Sequence, residues 1–170
     1  MKSNRKYSLS VLGLLLGMLL TSSQVWADRG DQYLIPKVGA MYLQGLDVDL
    51  VYAVGAYYGY GINRNITIEG EIMGGFFGGN IQTGGGSYDI TTVASYGVYR
   101  LPLSRRAYAK ARMGLLLEHV SAVQTKFGAG FSGGAGVGMV LPQGFTVEGE
   151  FTLIEQNVSL ISLGVLYAFK

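Results

Sequence analysis

Residues 157–170 read NVSLISLGVLYAFK, and their alternation decides the fold. Ser159, Ile161, Leu163, Val165, Tyr167 and Phe169 share one face of an extended chain, and Leu160, Ser162, Gly164, Leu166 and Ala168 share the other. A strand has a side-chain period of two, so one face here is large and apolar and the other mostly small. A face of that bulk does not suit a sheet whose outer side meets water. It suits a strand with lipid on its bulky side and a narrow lumen on its small side. On this stretch alone, the last strand of a soluble β-domain is a competing reading, and the rest of the chain has to decide.

The opposite end has the form of a secretory signal peptide over residues 1–27. Lys2, Arg5 and Lys6 make a basic start, and Leu9 to Leu20 is apolar apart from Ser10. That run is too short for a membrane-spanning helix, which takes about 20 residues. Val25 and Ala27 set small residues at the −3 and −1 positions, so cleavage is expected before Asp28. The remaining 143 residues carry ten Lys and Arg against eleven Asp and Glu, a net charge of −1. The pI of 8.8 for the whole chain therefore belongs largely to the leader. No basic run survives, so nucleic acid is not an expected partner. There is no cysteine, so an exported domain of this size must rely on backbone pairing and packing. Its length suits one domain, residues 28–170. No stretch of it reads as a transmembrane helix, and the other spanning structure that satisfies every backbone group is a closed barrel.

Read in order, the chain gives eight strands. The first spans about 33–43, with Val38, Ala40 and Tyr42 opposite Lys37, Gly39 and Met41. The second, about 50–62, sets Val54, Ala56, Tyr58, Tyr60 and Ile62 against Ala53, Gly55, Tyr57, Gly59 and Gly61. The third, about 66–77, sets Ile66, Ile68, Ile72 and Phe76 against Thr67, Glu69, Glu71 and Met73. In the fourth, about 88–101, both registers mix polar and apolar residues, and its faces stay open. The fifth, about 106–120, sets Ala107, Ala109, Ala111, Met113, Leu115 and Leu117 against Lys110, Arg112, Gly114 and Glu118. The sixth, about 126–141, sets Ala135, Val137, Met139 and Leu141 against Ser132, Gly134, Gly136 and Gly138, glycines that leave room for large lumen neighbours. The seventh, about 145–154, sets Phe145, Val147, Phe151 and Leu153 against Thr146, Glu148, Glu150 and Thr152. Residues 157–170 are the eighth. With 143 residues this is near 18 per strand and connection, enough for a membrane-crossing strand of ~9–11 residues.

Two segments echo each other. NITIEGEIMG at 65–74 and GFTVEGEFTL at 144–153 place Glu69 and Glu71 79 positions before Glu148 and Glu150. Convergence on one strand pattern and duplication of a four-strand half both account for it. Either way the four carboxylates need a common polar side. Glu69, Glu71, Glu118, Glu148 and Glu150 then face inward with Lys110 and Arg112, and Lys37 and Arg100 are further candidates. An eight-stranded bore is just wide enough for side chains, so mutual neutralisation and a plugged lumen are expected. A narrow, gated path is the alternative.

The leader, the eight alternating strands and the aromatic end together resemble the OmpA-type eight-stranded outer-membrane β-barrel family, the small porin-family barrels without a periplasmic domain. The resemblance covers the whole of residues 28–170 and rests on pattern. It implies an all-β, antiparallel, up-and-down transmembrane barrel in the outer membrane of a Gram-negative cell. It also implies that Val165, Tyr167 and Phe169 form the signal read by the barrel-assembly machinery; the usual form ends on the aromatic, and here Lys170 follows it. The expected surroundings are outer-membrane lipid and lipopolysaccharide, and the expected state is a monomer.

For chemistry, the short connections favour a structural or interaction barrel with no catalytic residue, because loops carry most built sites. Partners would meet 44–49, 78–87 or 121–125, the outer loops if the N-terminus is periplasmic. A single His and no Cys make a metal or haem site improbable, and no cofactor is expected. Residues 128–133, GAGFSG, match GxGxxG but lead into a strand, not the helix a dinucleotide site needs. The competing class is an enzyme. His119-Val-Ser121 is similar to the His-x-Ser element of outer-membrane lipid A deacylases, and a base beside a hydroxyl suits ester hydrolysis. By phase His119 lies on the lipid side with Leu115 and Leu117. Ala122 stands where that family has Asn, and no acid is evident on the lipid face of the next strand.

Overall fold

The computed structural model describes residues 29–43, 50–77, 79–80, 87–121, 125–142, 145–155 and 158–169. The leader expected at 1–27 and the connection expected at 44–49 lie outside them. Eight long strands follow one another: β1 Gln32–Leu43, β2 Val51–Gly61, β3 Ile66–Phe77, β4 Ser87–Pro102, β5 Ala107–Ser121, β6 Thr125–Val140, β7 Thr146–Glu155 and β8 Val158–Phe169. Each pairs antiparallel with the next, and β1 pairs with β8, so the sheet closes with no free side. The seam runs from Gln32 opposite Phe169 to Leu43 opposite Val158. It skips Ile35 and Pro36, where proline has no N–H to donate.

The register fixes the bore. Followed one way from Lys37, paired residues run through Gly55, Met73, Thr92 and Glu118 to Gly128. Followed the other way they run through Gly164 and Glu148 to Gly138. The two arrivals on β6, at 128 and 138, differ by 10 residues, which is the shear. About 33 Å of stagger over about 38 Å of girth tilts the strands by about 41° and gives a radius of about 8 Å. Such a cylinder holds side chains and little else.

Burial alternates as the period-two reading requires. Leu34, Val38, Tyr42, Val54, Tyr58, Ile68, Ile72, Met113, Leu115, Leu117, Phe131, Val137, Ile161 and Leu163 stand exposed on the outer face. Tyr33, Lys37, Tyr57, Glu69, Glu71, Lys110, Arg112, Glu148 and Glu150 are buried inside. On β2, Tyr52 and Tyr60 stand exposed on the outer face, about 26 Å apart along the strand and about 20 Å along the barrel axis.

Some expectations change. The faces of β4 are now assigned: Ile90, Thr92, Ala94, Tyr96, Val98 and Arg100 point in, while Thr91, Val93, Ser95, Gly97, Tyr99 and Leu101 point out. Residues 78–87 are not all connection, because Gly79 pairs with Tyr88 and Asn80 with Ser87. Ser121 and Thr125 likewise pair as the ends of β5 and β6. Ser159, in phase with the exposed face of β8, is buried beside the register shift between β7 and β8.

Candidate functional site: the charge layer of the lumen

The predicted charge cluster exists, and the two further candidates Lys37 and Arg100 belong to it. Lys37, Arg100, Lys110 and Arg112 face Glu69, Glu71, Glu148 and Glu150, all buried, so the layer is electrically neutral. Lys110 is its hub. Its Nζ lies 2.9 Å from Glu69, 3.1 Å from Glu148 and 3.0 Å from Glu150. Its hydrogen bonds go to the Tyr57 hydroxyl and to Glu148. Arg112 holds Glu71 through both guanidinium nitrogens, at 2.8 and 3.2 Å, and reaches Glu150 at 2.7 Å. Lys37 donates to Glu71 at 2.7 Å and to Glu150 at 2.8 Å. Arg100 bridges Glu69 at 3.3 Å and Glu148 at 3.4 Å.

The sequence echo acquires a physical meaning here. Glu69 and Glu148 share Arg100 and Lys110, whereas Glu71 and Glu150 share Lys37 and Arg112. Each of these cations ties β3 to β7 across the bore. A buried ion that lost its partners would cost several kcal/mol, so the pairing constrains how the two halves of the barrel sit.

Four tyrosines complete the layer, and their role was not foreseen. Tyr33 donates to Glu69 at 2.7 Å, and both Tyr57 and Tyr108 donate to Glu148. Tyr96 lies 2.9 Å from Ser132, whose hydroxyl donates to the Leu153 carbonyl. Cations also stack on these rings, Arg112 at 4.0 Å from Tyr96, Lys110 at 4.2 Å from Tyr57 and Arg100 at 4.5 Å from Tyr33. The available signal was phase: Tyr33, Tyr96 and Tyr108 sit an even number of residues from Lys37, Arg100 and Lys110 on their own strands, and Tyr57 shares a face with Gly55 and Gly59. Inward glycines make the room, as expected of the β6 run. A Cβ on Gly138 would enter the Tyr108 ring, and one on Gly59 the Tyr33 ring.

Glu118 does not join this cluster. It is six residues beyond Arg112 on β5, about 20 Å of strand, half-buried with its carboxylate against Gly128. Where it stands the lumen is apolar. Met41, Val51, Met73, Ile90, Leu116, Ile154 and Leu160 form one buried cluster toward the loop end. Among the described residues, charges fill the turn-side half of the bore and the buried lining of the loop-side half is largely apolar. Alternation alone does not show this second layer, because inward apolar residues look like any core.

His119 is half-buried on the outer side of β5, its ring 4.4 Å from that of Phe127. Register sets Thr91 opposite His119 and Asp89 opposite Ser121, so an acid does occur on the neighbouring strand. The side chains of Asp89 and Ser121 lie outside what the structure describes, and so do those of Tyr167 and Phe169. Among the described residues no group of three or more metal-ligating side chains occurs.

A closed, right-sized antiparallel barrel with an apolar outer band and a filled lumen is the architecture of a bacterial outer-membrane protein. A family profile described as the outer membrane protein beta-barrel domain matches residues 12–169, and the chain belongs to that family. Solved structures of the same fold include Ail, the attachment invasion locus protein of Yersinia pestis, crystallised with the heparin analogue sucrose octasulfate. It is 14% identical with a TM-score of 0.56, covering 83% of this chain and 99% of that one. Neisserial surface protein A is 11% identical with a TM-score of 0.58, covering 82% and 96%. The N-terminal barrel domain of Pseudomonas aeruginosa OprF is 12% identical with a TM-score of 0.59, covering 83% and 100%. At such identities the likeness is one of fold. No curated protein matches the chain by sequence.

Proposed function

We propose that the protein is an integral barrel of the outer membrane with a structural or interaction role, exported by cleavage after Ala27 and closed to solutes. One observation carries this reading: the bore holds a neutral charge layer roofed by an apolar layer. A conducting pore needs a continuous wet path, and buried hydrocarbon across the section denies one. Among the described residues the acids and bases of the charge layer are all engaged in ion pairs with one another, which leaves them committed to structure. Contacts with other molecules would therefore fall on the outer face and the rims. Planar-bilayer recording tests the closed lumen. The wild type should give no steady conductance, whereas Leu116→Gly with Leu160→Gly, which hollows the seal, should give small openings. Steady ion flow through the wild type would replace this reading with a narrow porin.

A further inference from the structure

We propose that the turn-side rim from β2 to β5 binds one anionic phospholipid through its phosphodiester, an inference that rests on the barrel reading above. The β2–β3 turn carries Arg64, and the β4–β5 turn carries Arg105 and Arg106, all three exposed. Strands β3 and β4 are neighbours, so the two turns stand side by side. Both are tied down. Asn63 Oδ1 accepts from the backbone N–H of Asn65 at 2.9 Å and of Ile66 at 2.8 Å. Asn65 Nδ2 donates to the Arg100 carbonyl at 2.8 Å, and Arg100 N–H donates to the Asn65 carbonyl at 2.7 Å. Ser104 Oγ accepts from Arg106 N–H at 3.2 Å. Arginines on turns already fixed lose less freedom on binding than arginines on a loose loop.

Three exposed arginines of this end stand together on this arc. The third turn of the same end, residues 141–145, reads LPQGF and has no charge. Arg29 and Asp31, beside Gly61 at the foot of β2, add one charge of each sign. The sequence puts Asp47 and Asp49 between β1 and β2 at the opposite end, where Glu118 also lies. A guanidinium takes a phosphate oxygen pair in a two-bond fork, and a zwitterionic headgroup brings a cation that the arc repels. Charge complementarity therefore selects an anionic lipid of the leaflet on the turn side.

The surface above the arc suits the lipid's chain. Ile66, Ile68, Tyr99 and Leu101 are exposed there, with Tyr58 at the side. Gly70 lies opposite Tyr58 and Ser95, and Gly97 opposite Ile68. A Cβ at Gly70 would meet nothing within 4 Å, and one at Gly97 only the Met113 carbonyl at 3.9 Å. These small residues leave a shallow channel that leads from the arginines into the apolar band.

The test uses the full chain, purified in mild detergent and given equal amounts of phosphatidylglycerol and phosphatidylcholine with matched chains. Native mass spectrometry counts the lipid retained by the wild type, by Arg105→Gln with Arg106→Gln, and by the triple variant that adds Arg64→Gln. Phosphatidylglycerol should dominate on the wild type, and its preference should fall about fivefold per arginine removed. Equal retention of the two lipids by the wild type, or an undiminished preference in the triple variant, overturns the site. Folding is read separately from the band shift on boiling, so a failure of the barrel itself is not mistaken for a failure of the lipid site.

Discussion

At the scale of single residues, Lys110 is the most consequential side chain in the lumen. It touches three carboxylates that come from two strands. Lys110→Ala with Arg112→Ala would leave buried carboxylates without their cations. The expected loss is about 3–5 kcal/mol for each cation removed, read as a clear fall in the urea midpoint or as a new conducting path. An unchanged midpoint with no conductance would mean that these groups face water. Lys110→Met together with Glu148→Gln should be milder, because removing both partners of a buried pair leaves less uncompensated charge. Gly138 gives a second test. Any side chain there meets the Tyr108 ring, so Gly138→Leu should destabilise by about 1–3 kcal/mol, the usual cost of overpacking. Gly133→Leu, on the outer face with its nearest atom at 3.5 Å, should be nearly neutral in the same unfolding assay. The enzyme alternative also belongs at this scale. Lipid A from cells producing the wild type, His119→Ala or Ser121→Ala should be identical by mass spectrometry; loss of an acyl chain with the wild type alone would make the protein a deacylase.

At the scale of elements, alternation was enough for most strands. On β3, isoleucines and glutamates separate cleanly, and burial follows that separation residue by residue. On β4 the pattern fails for a physical reason: Ser95 and Gly97 meet the outside while Thr92 and Arg100 enter the lumen, so polarity does not mark the face. The pair of Glu-x-Glu segments showed that β3 and β7 need a common polar side. Which cation each carboxylate shares depends on shear, a property of the closed sheet that no single strand encodes. The same holds for Glu118, whose phase is right but whose height along β5 puts it at the apolar end. For β8, the family resemblance implies that Val165, Tyr167 and Phe169 are read during assembly. Tyr167→Ala with Phe169→Ala should then lower the amount of barrel in the outer membrane several-fold in pulse-labelled cells, while the purified variant still folds in detergent. Equal assembly of variant and wild type would show that the machinery reads another part of the chain.

At the scale of the whole molecule, the pieces act together. A shear of 10 over eight strands makes a bore of about 8 Å radius. That bore is too narrow to stay empty, so large side chains meet inward glycines and charges meet opposite charges. The outer face stays apolar over a band that matches a membrane, and every strand finds partners on both sides. The most direct measurement of this account is electrophoretic mobility with and without boiling, on protein recovered from fractionated cells. The account predicts a protein in the outer-membrane fraction whose unboiled band migrates apart from the boiled one, since a closed barrel resists detergent until heated. A protein that stays soluble in the periplasm and shows no shift on boiling would contradict it.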